Sequence, residues 1–560
     1  MFFYRHTVAV ACVVTGLLAP TLHAEVASVA VTERHLIEDG RLFGSYGAYE
    51  EIVGRVTFAV DPDNPLNQVI VGLDRAPRNA DGMVEATADL VILAPADRER
   101  GNGVALVDIS NRGRRSALAF NRGGEGPYGD GFLMQQGYTV VWVGWEFDVQ
   151  PNRGAIRIEV PSVDGFPVGG LGFAAVRDTA SWIRHGLPAD TAPDPLVTAE
   201  HTLSFGSSQS GRFLRTFLYL GFNTDESGRQ VFDGMIPHIA GASRLDLNQP
   251  GATPISLGMF DATSFPFADA ALRDPVTGVL DGTLGNDRSR ERQPYIFYTN
   301  TGVEYWGGGR VASLVHSTPD GANDLDLQDN VRFYFLAGTQ HGPGAFPPPP
   351  GRNRQEMGNP TDYWWHMRAL LGALTDWVVD GVEPPPSRHP RFAHGDLVPP
   401  SEVDFPAIPD VRSPHDRTAG TRMPNPWLNN NSDGGEALPM LVPKVDADGN
   451  ETSGIRHPEV EVPLATYTGW NFTDADHGDP DTLVSLAGSY IPFSTTEAQR
   501  QATKDPRPSI EERYASRSDF LTRVEAAGRD LIAERYLRQD DLAQILERAA
   551  QHWDLLMGSH

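Results

Sequence analysis

The stretch 201–220, HTLSFGSSQSGRFLRTFLYL, limits the possible folds more than any other part of the chain. Residues 203–205 read as the end of a short buried strand. Residues 206–211 form a tight turn of small residues. Residues 212–220 read as a helix with Phe213, Phe217 and Leu220 on one side. A strand, a sharp turn and a helix are the setting a nucleophile elbow requires. The positions two before and two after the nucleophile must be small there, because the strand and helix backbones nearly touch. Ser208 has Gly206 and Ser210 at those positions. Ser210 has the large Arg212 two residues later, and Ser207 has Phe205 two residues earlier. Side-chain size therefore selects Ser208. The strict G-x-S-x-G pattern is not met, since Ser210 stands where its second glycine would be.

The chain has 560 residues, enough for one large domain with insertions or for two domains. Residues 1–24 are expected to be a secretory signal peptide. Arg5 and His6 precede the apolar run 8–18, and Leu22-His-Ala24 fits a small-residue cleavage site. That run is shorter than the roughly 20 residues of a membrane span. The expected location is therefore secreted or periplasmic. The single cysteine, Cys12, falls inside this leader, so the mature chain is expected to lack disulfides, thiolate nucleophiles and cysteine-bound zinc. A formal net charge of −27 argues against nucleic acid or an anionic membrane as partner. It is compatible with an enzyme acting on a small neutral or apolar molecule.

Strands are expected at 56–60, 69–71 and 88–93, giving the sheet an antiparallel opening. From residue 100 to 380, buried strands alternate with helices. The strands fall near 103–109, 137–144, 203–205, 232–240, 294–299 and 331–336, and the helices near 172–185, 212–220 and 362–379. Near-continuous apolar strands imply cover on both faces. The fold class is α/β, a doubly wound and mostly parallel sheet with helices on both faces. Residues 25–400 are assigned to the catalytic domain, with 244–293 as a cap insertion, and 401–560 to a C-terminal extension. Within the extension, 460–468 reads as a strand returning to the body and 518–556 as two helices meeting near 539–541.

A serine hydrolase needs a base and a residue that orients the base. In the α/β-hydrolase arrangement these follow in the order serine, acid, histidine, each on a loop after a parallel strand. The strand 294–299 leads into a loop holding Glu304, and the strand 331–336 into a loop holding His341. His341 is the expected base and Glu304 its orienting acid. The rival bases are His238, within a strand, and His316. The rival acids Asp324, Asp326 and Asp329 precede the histidine strand rather than following the earlier one. For the oxyanion hole, the Gln209 amide follows from elbow geometry. The second donor is assigned to the loop Asn111-Arg112-Gly113, with Trp145-Glu146 as the alternative. No metal or other cofactor is expected. The acidic stretch 446–451 reads as a turn, because its glycine does not fall at the sixth position of a calcium loop, and 474–479 reads as a solvated acidic loop.

Several blocks carry a resemblance. They are the elbow with Arg212-Phe-Leu-Arg215, then 221–226, 231–234, Val303-Glu-Tyr-Trp306, Ala337-Gly-Thr-Gln-His341, 441–450, 463–471 and 509–514. They resemble a family of bacterial proteins known as alpha/beta hydrolase domain-containing, across nearly the whole mature chain. The resemblance implies that the C-terminal part is integral to the fold. It also implies a serine hydrolase, most simply a carboxylic ester hydrolase. The elbow, with glycine three residues after Ser208, is similar to that of the glucuronoyl esterases. A peptidase or amidase on the same residues, or a non-catalytic binding protein of this fold, are the alternatives.

Overall fold

Three long strands open the described chain: β1 (Glu25–Leu36), β2 (Tyr49–Val60) and β3 (Val84–Pro95). They pair antiparallel, β2 with β3 in unbroken register from Tyr49 opposite Pro95 to Val60 opposite Val84. In this computed structural model the described residues are 25–151, 154–186, 196–245, 247–252, 265–275, 277–307, 311–415, 419–422 and 437–558. The expected leader and Cys12 lie outside them, as does part of the expected cap insertion.

The parallel strands follow: β4 (Val104–Ile109), β5 (Thr139–Val143), β6 (His201–Ser207), β7 (Gly234–His238), β8 (Tyr295–Thr301), β9 (Val331–Ala337) and β10 (Ile455–Arg456). The sheet order is β1-β2-β3-β5-β4-β6-β7-β8-β9-β10, with Ile158–Glu159 pairing beside β3. From β5 onward every neighbour pairs in parallel.

Successive residues of a strand point to opposite faces, and this divides the core in two. On one face, Val107, Met235 and Ile296 pack with α1 (Leu171–His185) and α2 (Gln209–Tyr219). Phe213 of α2 lies 4.5 Å from Phe173 of α1 and 4.6 Å from Trp145, ring centre to ring centre. On the other face, Leu106, Leu203, Ile236 and Phe297 pack with Met367, Leu370 and Leu374 of α4 (Trp364–Asp380); α3 (Gly302–Trp306) is a single short turn after β8.

Two expected strands are corrected. Residues 69–71 form a turn, not a strand: Ile70 anchors it in the core, and the Asn248 side chain caps the Val69 carbonyl and the Val71 amide. Of 460–468, only Ala465–Tyr467 is a strand, and it pairs with Ser489–Pro492 in a separate small sheet. The segment that rejoins the main sheet is β10, just upstream. Pro458 then opens a helical turn, Pro458–Glu461, which no extended reading of the apolar residues anticipates. The C-terminal helices are α5 (Arg517–Ala533) and α6 (Leu542–Met557), with the break at Gln539–Asp541. Among the described residues, no helix is long and apolar enough to cross a membrane.

Candidate active site

Ser208 sits between β6 and α2 with φ 61° and ψ −113°, a backbone conformation that a side-chain-bearing residue rarely adopts. The glycines beside it are obligatory. A β-carbon on Gly206 would lie 2.4 Å from the Ser210 carbonyl oxygen, and one on Gly211 would lie 2.6 Å from the His238 carbonyl oxygen. The close approach of strand and helix that the small residues imply is therefore present. Ser210 is fully buried, and its hydroxyl donates to the Ser110 carbonyl at 2.9 Å. Ser208 instead has its Oγ 2.9 Å from His341 Nε2.

His341 comes from the loop after β9. Its Nδ1 lies 2.6 Å from Glu304 Oε1. Glu304, in the first turn of α3, is completely buried. Its other oxygen accepts from the Thr301 amide at 3.0 Å and from the Thr301 hydroxyl. This reciprocal capping box at the end of β8 fixes the carboxylate, and Thr301-x-x-Glu304 is its sequence signature. The structure thus brings Ser208, His341 and Glu304 into one hydrogen-bonded chain, each shortly after a parallel strand.

Three of the rivals are occupied elsewhere. His238 bonds Thr299 through Nδ1 at 2.8 Å and the Tyr363 hydroxyl through Nε2 at 3.2 Å. Complete burial lowers its pKa to about 3, so the ring stays neutral. Tyr363 donates its own proton to the His341 carbonyl at 2.8 Å. His238 is therefore a buttress behind the base. His316 is also buried, against Tyr305 at 2.8 Å, and burial holds its pKa well below the usual value. Asp324 caps the Phe392 and Ala393 amides.

The oxyanion assignments fare differently. Gln209 is the first residue of α2, where a helix's own ladder supplies no acceptor for the leading amides. The Arg112 amide, however, is committed to Glu146 Oε1 at 2.6 Å. Gly113 packs against Val149 and Ile156, and its carbonyl accepts from the Ile156 amide. The Arg112 amide therefore points to Glu146 in this structure. What this loop presents to the elbow is side chains: Asn111 Nδ2 donates to the Ser207 carbonyl at 2.8 Å, and Arg112 Nε lies 3.4 Å from Gln209 Oε1. Burial pushes the Glu146 carboxyl up to about 8.

A residue that sequence reasoning missed joins the base and acid loops. Glu451 is buried, and its Oε2 accepts from the Gly338 amide, three residues before His341, at 2.7 Å. A β-carbon on Gly302, two residues before Glu304, would lie 2.8 Å from Glu451 Oε1. Burial pushes this carboxyl up to about 8. The stretch 446–451 containing it is a tight turn, in which Asp446 Oδ1 accepts from the Asp448 and Asn450 amides at 3.0 Å each. At 474–479, Asp474 likewise caps the Asp476 amide.

Three solved structures illustrate what the chain is similar to. The rice cell wall degrading esterase LipA from Xanthomonas oryzae is 16% identical over 38% of this chain and 49% of its own, with a TM-score of 0.22. The chain thus spans about half the length of LipA. The glucuronoyl esterase from Solibacter usitatus is 14% identical over 57% of this chain and 81% of its own, with a TM-score of 0.24. Acetyl xylan esterase 1 from Thermoanaerobacterium sp. JW/SL YS485 is 14% identical over 37% of this chain and 52% of its own, with a TM-score of 0.18. No functionally curated protein matches the chain. The family profile described as alpha/beta hydrolase domain matches residues 73–547, which spans the parallel sheet, the elbow and most of the C-terminal extension. The chain therefore belongs to the alpha/beta hydrolase domain family.

Proposed function

We propose that the protein is an exported serine hydrolase that cleaves carboxylic esters through an acyl-enzyme. The observation that carries this reading is the continuous chain from Ser208 Oγ through His341 to Glu304, with spacings of 2.9 and 2.6 Å. These distances lie within the reach of a working base and its orienting acid. His341 takes the Ser208 proton as the hydroxyl oxygen attacks the ester carbonyl, and Glu304 stabilises the imidazolium. The Gln209 amide is the assigned donor to the tetrahedral oxyanion. His341 then returns the proton to the leaving alcohol. Water attacks the acyl-Ser208 by the same route and restores the free serine. Esters are the preferred class because an ester carbonyl is less stabilised by resonance than an amide carbonyl and is attacked more readily, and the resemblance noted in the sequence points to ester hydrolysis. The apolar run 8–18, followed by the small-residue cleavage site that ends at Ala24, supports export. Hydrolysis of p-nitrophenyl butyrate tests the chemistry. Wild-type turnover that disappears in Ser208→Ala, with an unchanged circular dichroism spectrum, is the expected result. Undiminished turnover in that variant overturns the reading.

A further inference from the structure

The C-terminal helices close over the side of the sheet that carries the His341 loop. On α4, Arg368 donates to the Phe120 carbonyl at 2.7 Å and to Asp541 at 2.8 Å, which ties the segment after β4 to the start of α6. Two residues earlier, His366 Nδ1 donates to the Tyr536 carbonyl at 2.9 Å. From α6, the Arg548 guanidinium lies over the ring of Phe346, five residues beyond His341.

A group of polar side chains converges here, and only part of it is satisfied. Glu459 Oε1 pairs with His552 Nδ1 at 2.9 Å, and the Tyr490 hydroxyl meets His552 Nε2 at 2.7 Å. In contrast, Arg548 Nη1, the Tyr467 hydroxyl, His457 Nε2 and His366 Nε2 are buried with no hydrogen-bond partner among the described residues. Tyr467, His457 and His366 expose 2%, 2% and 1% of their surface. The imidazole rings of His366 and His457 are 5.4 Å apart, and the charge of Arg548 acts on both His457 and Tyr467.

The hydrogen-bond roles can be read off. His457 Nδ1 accepts from the Glu459 amide at 3.3 Å, so the proton of this neutral ring is on Nε2, which is a donor. His366 donates through Nδ1, so its Nε2 is an acceptor. Burial keeps both rings neutral, with pKa values lowered to about 3 and about 4. Arg548 remains a cation although burial lowers its pKa, and Glu459 and Asp362 act on it only through space. Together these groups offer a guanidinium, a phenol, an imidazole N–H and one acceptor. Buried groups of this kind are paired in folded proteins, by protein, water or ligand.

We propose that Arg548, Tyr467 and His457 form a binding subsite for an organic carboxylate beside the His341 loop, with His366 accepting from a hydroxyl of the same ligand. One planar guanidinium fork matches one carboxylate. In a compact dianion such as phosphate both charges would sit beside Glu459, which His552 holds as a carboxylate with its pKa lowered to about 2, whereas the second carboxylate of a flexible diacid lies several bonds away. The net charge of −27 repels anions at long range, so recognition rests on these contacts. The carboxylate can belong to the substrate, which then is an ester of a carboxylate-bearing acid or alcohol, or to a separate ligand. The first case rests on the esterase reading above; the second does not.

Glutarate is the direct probe, measured by titration calorimetry on the whole chain. Saturable binding is expected, weakened at least about tenfold in Arg548→Gln and also weakened in Tyr467→Phe. The second variant keeps the test open if the first does not fold. The kinetic arm compares kcat/KM for the mono-p-nitrophenyl ester of glutarate with that for p-nitrophenyl butyrate. A fall of at least about tenfold in that ratio in Arg548→Gln places the carboxylate on the substrate. Glutarate binding lost in Arg548→Gln with the ratio unmoved identifies a separate carboxylate ligand. Absence of glutarate binding to the wild type, together with an unmoved ratio, overturns the proposal and leaves water as the occupant. The calorimetric arm reads out even if the protein hydrolyses neither ester.

Discussion

The hydroxyl of Tyr363 donates to the carbonyl oxygen of His341 at 2.8 Å, while its oxygen receives His238 Nε2 at 3.2 Å. The backbone of His341 is thus anchored to the interior by a buried residue. Tyr363→Phe removes both bonds and leaves a buried imidazole N–H unpaired. A loss of about 1–3 kcal/mol of stability is expected. A lowered kcat with KM nearly unchanged is expected as well, because the base is misplaced rather than the binding surface. Urea unfolding and Michaelis analysis of the variant check both.

Glu304→Gln replaces the orienting carboxylate with a near-isostere that cannot stabilise an imidazolium. The Thr301 cap can persist, so the fold should survive. A fall in kcat of about 10³- to 10⁴-fold is expected, the scale seen when the acid of such a triad is neutralised. Stopped assays with p-nitrophenyl butyrate measure it. A loss under about tenfold would show that Glu304 only caps its helix.

The two neighbouring serines separate cleanly. The Ser210 hydroxyl is bonded to the Ser110 carbonyl, so Ser210→Ala should cost about 1 kcal/mol and retain turnover. Gly206→Ala meets the Ser210 backbone at 2.4 Å and should yield insoluble or unfolded protein. Soluble expression and thermal melting of the pair check this.

Glu451 gives stability a pH signature. Its pKa is about 8 in the folded state against an ordinary 4.5. The folded state therefore binds more protons between these values, and this group's contribution is fully present below about pH 4.5 and lost as pH rises through 8. Glu451→Gln keeps an acceptor for Gly338 and removes the titration. The stability of the variant relative to wild type should rise by up to about 1.4 kcal/mol per pH unit across that window. Denaturant unfolding at a series of pH values measures the slope. A constant difference would show that Glu451 does not titrate there.

The parallel core was legible because strands covered on both faces read as continuous apolar runs, as at Val104–Ile109 and Val331–Ala337. Ser208 was legible because the elbow tolerates only small neighbours, a constraint written in side-chain size. His341 and Glu304 followed from strand order. The Arg112 amide was not legible in the same way. Its partner Glu146 lies on the loop after the adjacent strand, and only the β4–β5 pairing brings the two together. Tyr363, Glu451 and Arg548 reach the His341 loop from α4, from the turn before β10 and from α6, through tertiary packing that leaves no local pattern. The Thr301-x-x-Glu304 cap, by contrast, was a readable signal for how the acid is held.

In the proposed reaction Ser208, and no neighbouring serine, is the activated nucleophile. Native protein treated with a fluorophosphonate and digested for mass spectrometry tests this directly. The predicted result is a single phosphonylated residue at Ser208, absent in Ser208→Ala and formed far more slowly in His341→Ala. An adduct on Ser207 or Ser210, or no adduct on protein whose circular dichroism is native, would contradict it.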